Sequence, residues 1–587
     1  MKTKILCHVL LLCLFSPFLS PPAYCAPNRY VEIEITGPVN EKRALYEFLF
    51  PRFRTMNQYL DLFDKARDDP EVGGLILRIL DPEIGWAKTQ QLRRAVREFR
   101  KSGKKVHALL TGESLTGYLL ACACDEVTLS PSSPLMLTGL RMEVYFFKDL
   151  LLKLGIEADV VAIGRYKTAA DSLTRESMSD EMRVMLNSIL DEYYLDLVSS
   201  LVEDRKLTTD TALLILDQGP FSSREALKLK LVDRVGYEED LYQYIEQGLP
   251  RYLNVVRDYD RPAPLAPQFN IFKFLFPQQG ELPKEAPRDK IALIVASGMI
   301  VPGKRVDYPF QEDIIAADDL IEQINECRDK SDIVAIVLRI DSPGGSALAS
   351  DLIWHTVMKA REKKPVVSSL SDVAASGGYY IAMAANKIIS EPGTLTGSIG
   401  VITGKPVFMG LMEKIGVNVE VLSRGGNSGI FSPARQFSPS ERAIVEKLSS
   451  AVYDDFVDKI ARSRNMTRES VLRAAEGRVW TGRQAFSCHL VDDLGGLEKA
   501  VLTAKELAGI PATRDIGIQI YPLQLGLFDF IREMFSGGEF ASMSLPPSHQ
   551  AAWFLVPVPM LKSLLPLVQM FKVEPTLAVM PLVLEIR

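Results

Sequence analysis

The chain has 587 residues, 47% of them hydrophobic and 24% charged, with a net charge of −6 and an isoelectric point near 5.7. That length supplies more than one domain; the composition excludes collagen-like, disordered and polytopic membrane classes, and the acidic balance leaves no global basic field to recruit nucleic acid. Three of the seven cysteines (Cys7, Cys13, Cys25) lie in the first 25 residues and no other pair has zinc-ligand spacing, so neither a disulfide framework nor a metal site is expected, and Cys122 and Cys124 read as buried structural thiols.

From the N-terminus, Lys2 and Lys4 precede an apolar stretch from Ile5 to Phe15, interrupted by Pro17, Pro21 and Pro22. A run of about 11 residues reaches roughly half of a bilayer's hydrocarbon core. With small residues near Ala23–Ala26, the segment 1–26 reads as a secretory signal peptide, an uncleaved anchor being the alternative. An internal repeat follows: Gly37 and Gly298, Arg78 and Arg339, Gly117 and Gly378, and Gly155 and Gly416 each lie 261 positions apart. A constant offset over more than a hundred residues means two copies of one domain. LVDRVG from Leu231 and LVDDLG from Leu490 continue the match after a two-residue drift.

Within the copies, Ile291–Ala296 and Val334–Ile340 read as strands, Ser350–Arg361 and Arg442–Arg462 as helices, the latter opened by Ser438-Pro439-Ser440-Glu441. Alternation of strand and helix predicts a mostly parallel α/β core in each copy. The expected order is a first repeat domain over 27–250, a proline-rich linker over 251–289, a second repeat domain over 290–508 and an extension over 509–587. Prolines 557, 559, 566 and 581 cut the extension's apolar segments, so none is a membrane span; it packs on the domains, docks a partner subunit or touches a membrane surface.

Two turns of the second copy carry chemistry. Asp341-Ser342-Pro343-Gly344-Gly345-Ser346 leaves a strand through two glycines, which free backbone N–H groups to face a ligand, as an oxyanion hole requires; an ordinary tight turn is the plainer reading. Asp372-Val373-Ala374-Ala375-Ser376-Gly377-Gly378 places a serine at a strand-to-helix turn, either as a nucleophile or as a helix cap. None of His8, His107, His355, His489 and His549 has a partner pattern in these blocks, so a Ser-His-Asp triad is unsupported, and a buried neutral lysine can take the role of base. Leu115 stands at the first-copy equivalent of Ser376, and Ser428 at the second-copy equivalent of Lys167 in Gly164-Arg165-Tyr166-Lys167. The serine survives in copy two and the lysine in copy one, the complementary loss expected of a composite Ser/Lys site.

The blocks LRIDSPGGS, AASGGYYIAMAANKI, LTGSIGV, VWTGRQAF with LVDDLGG, and GRYKTAADSLTRESMS resemble the long, duplicated form of the signal peptide peptidase A (protease IV) family, of the Clp protease/crotonase superfamily, over about residues 30–505. The resemblance implies two tandem Clp protease/crotonase-like domains. It implies Ser376 as nucleophile, Lys167 as general base, Ser398 as the lysine's hydrogen-bond partner, and an oxyanion hole from Gly377 with Gly344 or Gly345. It further implies a serine endopeptidase without cofactor, acting on signal peptides and other unfolded apolar segments, and a homo-oligomer, a tetramer for the long form. The expected setting is the bacterial periplasm beside the inner membrane. The rival readings are an inactive scaffold that binds membrane or partner proteins, and a crotonase-like acyl-CoA enzyme, which an export signal disfavours.

Overall fold

Parallel strands need crossover helices between them, and the first copy supplies one at each step. β1 (Arg29–Pro38), β2 (Val72–Glu83), β3 (Lys105–Leu110) and β4 (Glu126–Leu129) are joined by helices Met56–Asp68, Trp86–Lys101 and Leu115–Cys122. The chain leaves this sheet for β5 (Glu157–Ile163), then returns with β6 (Arg234–Val235) beside β4 and β7 (Asn254–Val256) beside β1. The computed structural model describes residues 27–42, 53–260, 289–305, 313–522 and 576–580; the signal segment, residues 261–288 of the linker and most of the extension lie outside them.

The second copy opens with β8 (Lys290–Ser297), β9 (Met299–Val301) and β10 (Ile314–Ala316), and continues through β11 (Ile333–Ser342), β12 (Gly344–Ser346), β13 (Val366–Ala375), β14 (Lys387–Ser390), β15 (Leu395–Gly397) and β16 (Val401–Val407). After the helix Pro439–Arg464 come β17 (Val479–Thr481), β18 (Asp493–Leu494), β19 (Gly517–Tyr521) and, near the C-terminus, β20 (Thr576–Val579). Its main sheet runs β18-β14-β13-β11-β8-β19, the same succession as β6-β4-β3-β2-β1-β7 in the first copy. Each sheet is thus closed by a short strand beside its first one, and the repeat runs further than the boundaries at 250 and 508: β7 lies in the stretch assigned to the linker, β19 in the stretch assigned to the extension. Strands of three and five residues whose partners are far away in sequence leave little periodicity to read.

A further sheet, of order β10-β9-β12-β20-β16-β5, is shared between the copies. β5 from the first pairs antiparallel with β16 from the second along its full length, Val401 opposite Ile163 through Val407 opposite Glu157. One hydrophobic core also crosses the boundary, joining Leu92, Val96 and Met185 to Val337, Val367 and Val479. The ladder and the core make a single body of the two copies, and the ladder ends where both chemical segments begin: residue 167 follows β5, residue 398 precedes β16.

Candidate active site

β13 ends at Ala375, and the next residue turns the chain into the helix Gly377–Ala382. Ser376 has φ +55° and ψ −111°, a conformation that costs a non-glycine residue about 1–3 kcal/mol. Its backbone is fixed on both sides, since Ser376 N–H donates to Gly397 O (2.7 Å) and Tyr380 N–H donates to Ser376 O (2.8 Å). Gly378 permits the close approach of the helix and the turn that follows Ser342, because a Cβ there would lie 2.6 Å from Ser342 O. The Ser376 hydroxyl makes no capping bond, unlike Ser114 at the corresponding turn of the first copy, which has φ −65° and accepts from Gly117 N–H. Of the two readings of this serine, the cap therefore fits Ser114 and not Ser376.

Lys167 lies just beyond β5, in the short turn that leads into Thr168–Ala170. Its Nζ is 2.7 Å from Ser376 Oγ, 2.7 Å from Ser398 O and 3.0 Å from Ser398 Oγ. All three residues are buried, Lys167 with 3% of its surface exposed. Burial pushes the Lys167 ammonium well below the ordinary lysine value, because nothing charged compensates for lost hydration. A neutral amine has two N–H donors and one lone pair. A neutral amine in this position would have its donors matched by the carbonyl and hydroxyl of Ser398 and its lone pair free to accept from Ser376 Oγ–H. The structure thus brings together the three side chains expected from the sequence and adds the Ser398 carbonyl to the partners of the lysine.

The turn glycines also stand beside this cluster. Gly344 and Gly345 have φ +106° and +152°, and a Cβ at Gly345 would come within 2.1 Å of Ile300 O, so the turn tolerates no side chain. Gly344 N–H donates to Ser342 Oγ (3.2 Å), while Gly377 opens the helix behind the serine. Of the described histidines, His107 lies beside Glu126 (3.4 Å), and His355 and His489 are exposed.

Two features escaped the sequence reading. The first is the loop Ala475–Arg478, which cradles the lysine segment: Tyr166 N–H donates to Glu476 O (2.7 Å), Ser398 N–H to Arg478 O (2.7 Å), and a Cβ on Gly477 would strike Lys167 N at 2.4 Å. Gly477, two residues before VWTGRQAF, was the available signal. The second is β20, an extended segment between two walls of the site. It runs antiparallel to β12, with Gly344 opposite Val579 and Ser346 opposite Leu577, and antiparallel to β16, with Ile402 opposite Leu577. Met580 N–H donates to Pro343 O (2.7 Å), and Leu577 packs with Ala169 and Ile402. Of the fates open to the extension, these residues pack on the domains.

The model of peptidase family S49 matches residues 98–250 and 358–511. The chain is 37% identical to the chloroplastic serine protease SPPA of Arabidopsis thaliana over 79% of its own length and 67% of that relative's. It is 28% identical to protease 4 of Haemophilus influenzae over 86% of this chain and 81% of that one. Among solved structures, a mutant ClpP1 from Listeria monocytogenes aligns with 36% of this chain and 94% of its own at 16% identity, with a TM-score of 0.24.

Proposed function

The chain belongs to peptidase family S49 and is a serine peptidase, and from that premise we propose that Ser376 is its nucleophile and Lys167 its general base. The observation that carries this reading is the 2.7 Å separation of Lys167 Nζ and Ser376 Oγ at a buried site where burial lowers the lysine's pKa. Neutral Lys167 takes the Ser376 Oγ proton as the oxygen attacks the scissile carbonyl carbon. Gly377 N–H and a glycine N–H of the Pro343-Gly344-Gly345 turn hold the oxyanion, each such donor contributing about 3–4 kcal/mol to barrier lowering. Protonated Lys167 then passes its proton to the leaving amine, and water, deprotonated by the same nitrogen, releases the acyl group. Ser398 keeps the lysine aimed through its hydroxyl and carbonyl.

The substrates are extended apolar peptides, signal peptides among them. Support comes from β20, which lies strand-like between β12 and β16 with Leu577 and Met580 buried, the arrangement an incoming peptide would adopt by β-augmentation. The basic start and short apolar run of the sequence support export, with action in a bacterial periplasm at the inner-membrane surface. None of the described helices is long and apolar enough to cross a membrane. Assembly into a homo-oligomer, a tetramer by family resemblance, is supported by the exposed apolar side chains Val417, Val419, Val421 and Leu422 of the second copy.

Activity on casein or a synthetic signal peptide tests the assignment. Ser376→Ala is expected to fold and to lose at least ~10³-fold in kcat/KM. Lys167→Arg is expected to be as inactive as Lys167→Ala, because arginine keeps its proton. Activity of Ser376→Ala within tenfold of the parent, or substantial activity of Lys167→Arg, overturns it.

A further inference from the structure

A second group of buried charges lies at the boundary between the copies, outside the Ser376–Lys167 cluster. Lys88 sits in the first turn of the helix Trp86–Lys101, from the copy that supplies Lys167. Its Nζ is 2.8 Å from Asp341 Oδ2 and 3.3 Å from Asp372 Oδ2, both in the copy that supplies Ser376. Nearby, Arg339 donates to Glu41 (2.8 Å), Gln91 and Ser371, so the charges facing Lys88 are three carboxylates and one guanidinium. Burial acts against the Lys88 ammonium, but Asp341, Asp372 and Glu41 hold it charged with a raised pKa. Asp372 is shifted upward by its own burial, against the pull of Lys88.

The positions of the two aspartates give the contact its meaning. Asp341 is the third residue before Gly344, and Asp372 the fourth before Ser376. They lie inside the interval where the β11–β13 ladder loses register: Ile340 pairs with Leu370, then Ser342 with Ala374. One residue of β11 and three of β13 lie between those pairs, so the β11–β13 ladder is interrupted just before the strand ends. Side chains fill that gap. Asp341 Oδ1 accepts from Val373 N–H (3.1 Å), and Asp372 Oδ1 accepts from Lys88 N–H (2.9 Å). That second bond caps a 16-residue helix whose own N-cap, Gly85, offers no side chain; a Cβ there would strike Asp372 Cγ at 2.3 Å. The first copy therefore grips both strand ends through one residue, by its backbone N–H and its ammonium. The second-copy equivalent of Lys88 is Ala349, so the grip is not an inherited feature of the repeat.

We infer that Lys88 is a positioning residue for the peptidase, pinning through Asp341 and Asp372 the strand ends from which the oxyanion turn and the nucleophile emerge. The inference rests on the Ser376–Lys167 reading. Lys88 touches neither the dyad nor the path of a peptide beside β12; it acts through the distance between the turn at Gly344 and Ser376. A misplaced oxyanion donor weakens transition-state binding while leaving ground-state peptide binding in place.

The test compares Lys88→Met, Lys88→Arg and Asp341→Asn with the parent full-length protein. For each, kcat and KM are measured on a synthetic signal peptide, together with the inhibition constants of a peptide aldehyde, which forms a hemiacetal with the serine, and of the matching peptide alcohol, which cannot. Folded Lys88→Met is expected to lose at least ~10-fold in kcat with KM within about twofold. Its aldehyde affinity should fall in step with kcat/KM while the alcohol binds as before, and Lys88→Arg should recover part of the loss. Asp341→Asn keeps a hydrogen-bond acceptor and removes one of the charges, so it serves where Lys88→Met fails to fold, with the same split expected. Normal kcat in folded Lys88→Met, or a loss of kcat without the aldehyde effect, overturns the inference. Failure of both Lys88→Met and Asp341→Asn to fold assigns the group to stability alone and overturns it as well. Ser376→Ala runs alongside: if it stays active, the dyad reading fails independently of what Lys88 does.

Discussion

Lys167 faces two serines and a carbonyl, with no carboxylate among its hydrogen-bond partners. Its pKa in the folded protein lies below that of an unfolded lysine, near 10.4. Between those values the unfolded chain binds a proton that the folded chain does not, so stability rises with pH across the interval and is diminished at neutral pH. Lys167→Met, which fills similar space without a charge to desolvate, is therefore expected to raise Tm at pH 7 by about 1–2 °C, the size of shift that ~1 kcal/mol produces in a cooperative unit larger than about 250 residues. Melting curves from pH 7 to 10 check it, and the gain should shrink as pH approaches 10. A Tm at pH 7 below the parent's would show that the amine's hydrogen bonds outweigh its desolvation. The same direction of shift predicts that kcat/KM of the parent rises with pH through one apparent pKa below 10.4. Ser376 and Lys167 could be found in the sequence because the two copies had lost complementary residues; Ser398 came forward only through family resemblance. Lys88 could not be found, since WAKTQQLRRAVREFRK alternates charge and apolar residues as a solvated helix does, and its burial arises from the other copy.

Among the elements, those of the repeat were legible where periodicity was strong. The strand read over Val334–Ile340 is β11, Ile333–Ser342, and the helix read over Arg442–Arg462 is Pro439–Arg464, with Ser438 and Glu441 forming the expected capping box. Short strands without local partners were not: β7, β19 and β20 owe their conformation to the edges they meet. β20 has a functional consequence, because a peptide entering between β12 and β16 has to displace it. A tethered segment competes at an effective concentration of roughly millimolar order. Leu577→Asp places a carboxylate against Ala169 and Ile402, where nothing neutralises it, and is expected to release the strand. KM for a peptide substrate should then fall ~3-fold or more while kcat stays near the parent value. An unchanged KM would mean that peptides reach Ser376 by a route that leaves β20 in place.

For the molecule as a whole, the shared sheet supplies its own template for assembly. β5 of copy one pairs with β16 of copy two, and the repeat offset carries that ladder onto residues 418–424 of copy two and 140–146 of copy one. Neither segment is a strand among the described residues, apart from an isolated bridge position at Met142. Residues 417–424 are all exposed, with Val421 68% and Leu422 97% exposed, and exposed apolar residues grouped in this way are what an interface between copies would bury. Pairing 418–424 of one chain with 140–146 of the next is heterologous, and repetition of one such contact closes into a ring when the rotation permits. A Val421→Asp/Leu422→Asp variant is expected to run as a monomer in size-exclusion chromatography with light scattering at micromolar concentration, where the parent runs as an oligomer. Lys167 and Ser376 are 2.7 Å apart within one chain, so separating protomers leaves the dyad intact. The monomer should therefore label at Ser376 with a fluorophosphonate at a rate within about twofold of the parent. An oligomer that persists in the variant would place the interface elsewhere, and labelling abolished together with assembly would mean that a neighbouring protomer completes the site.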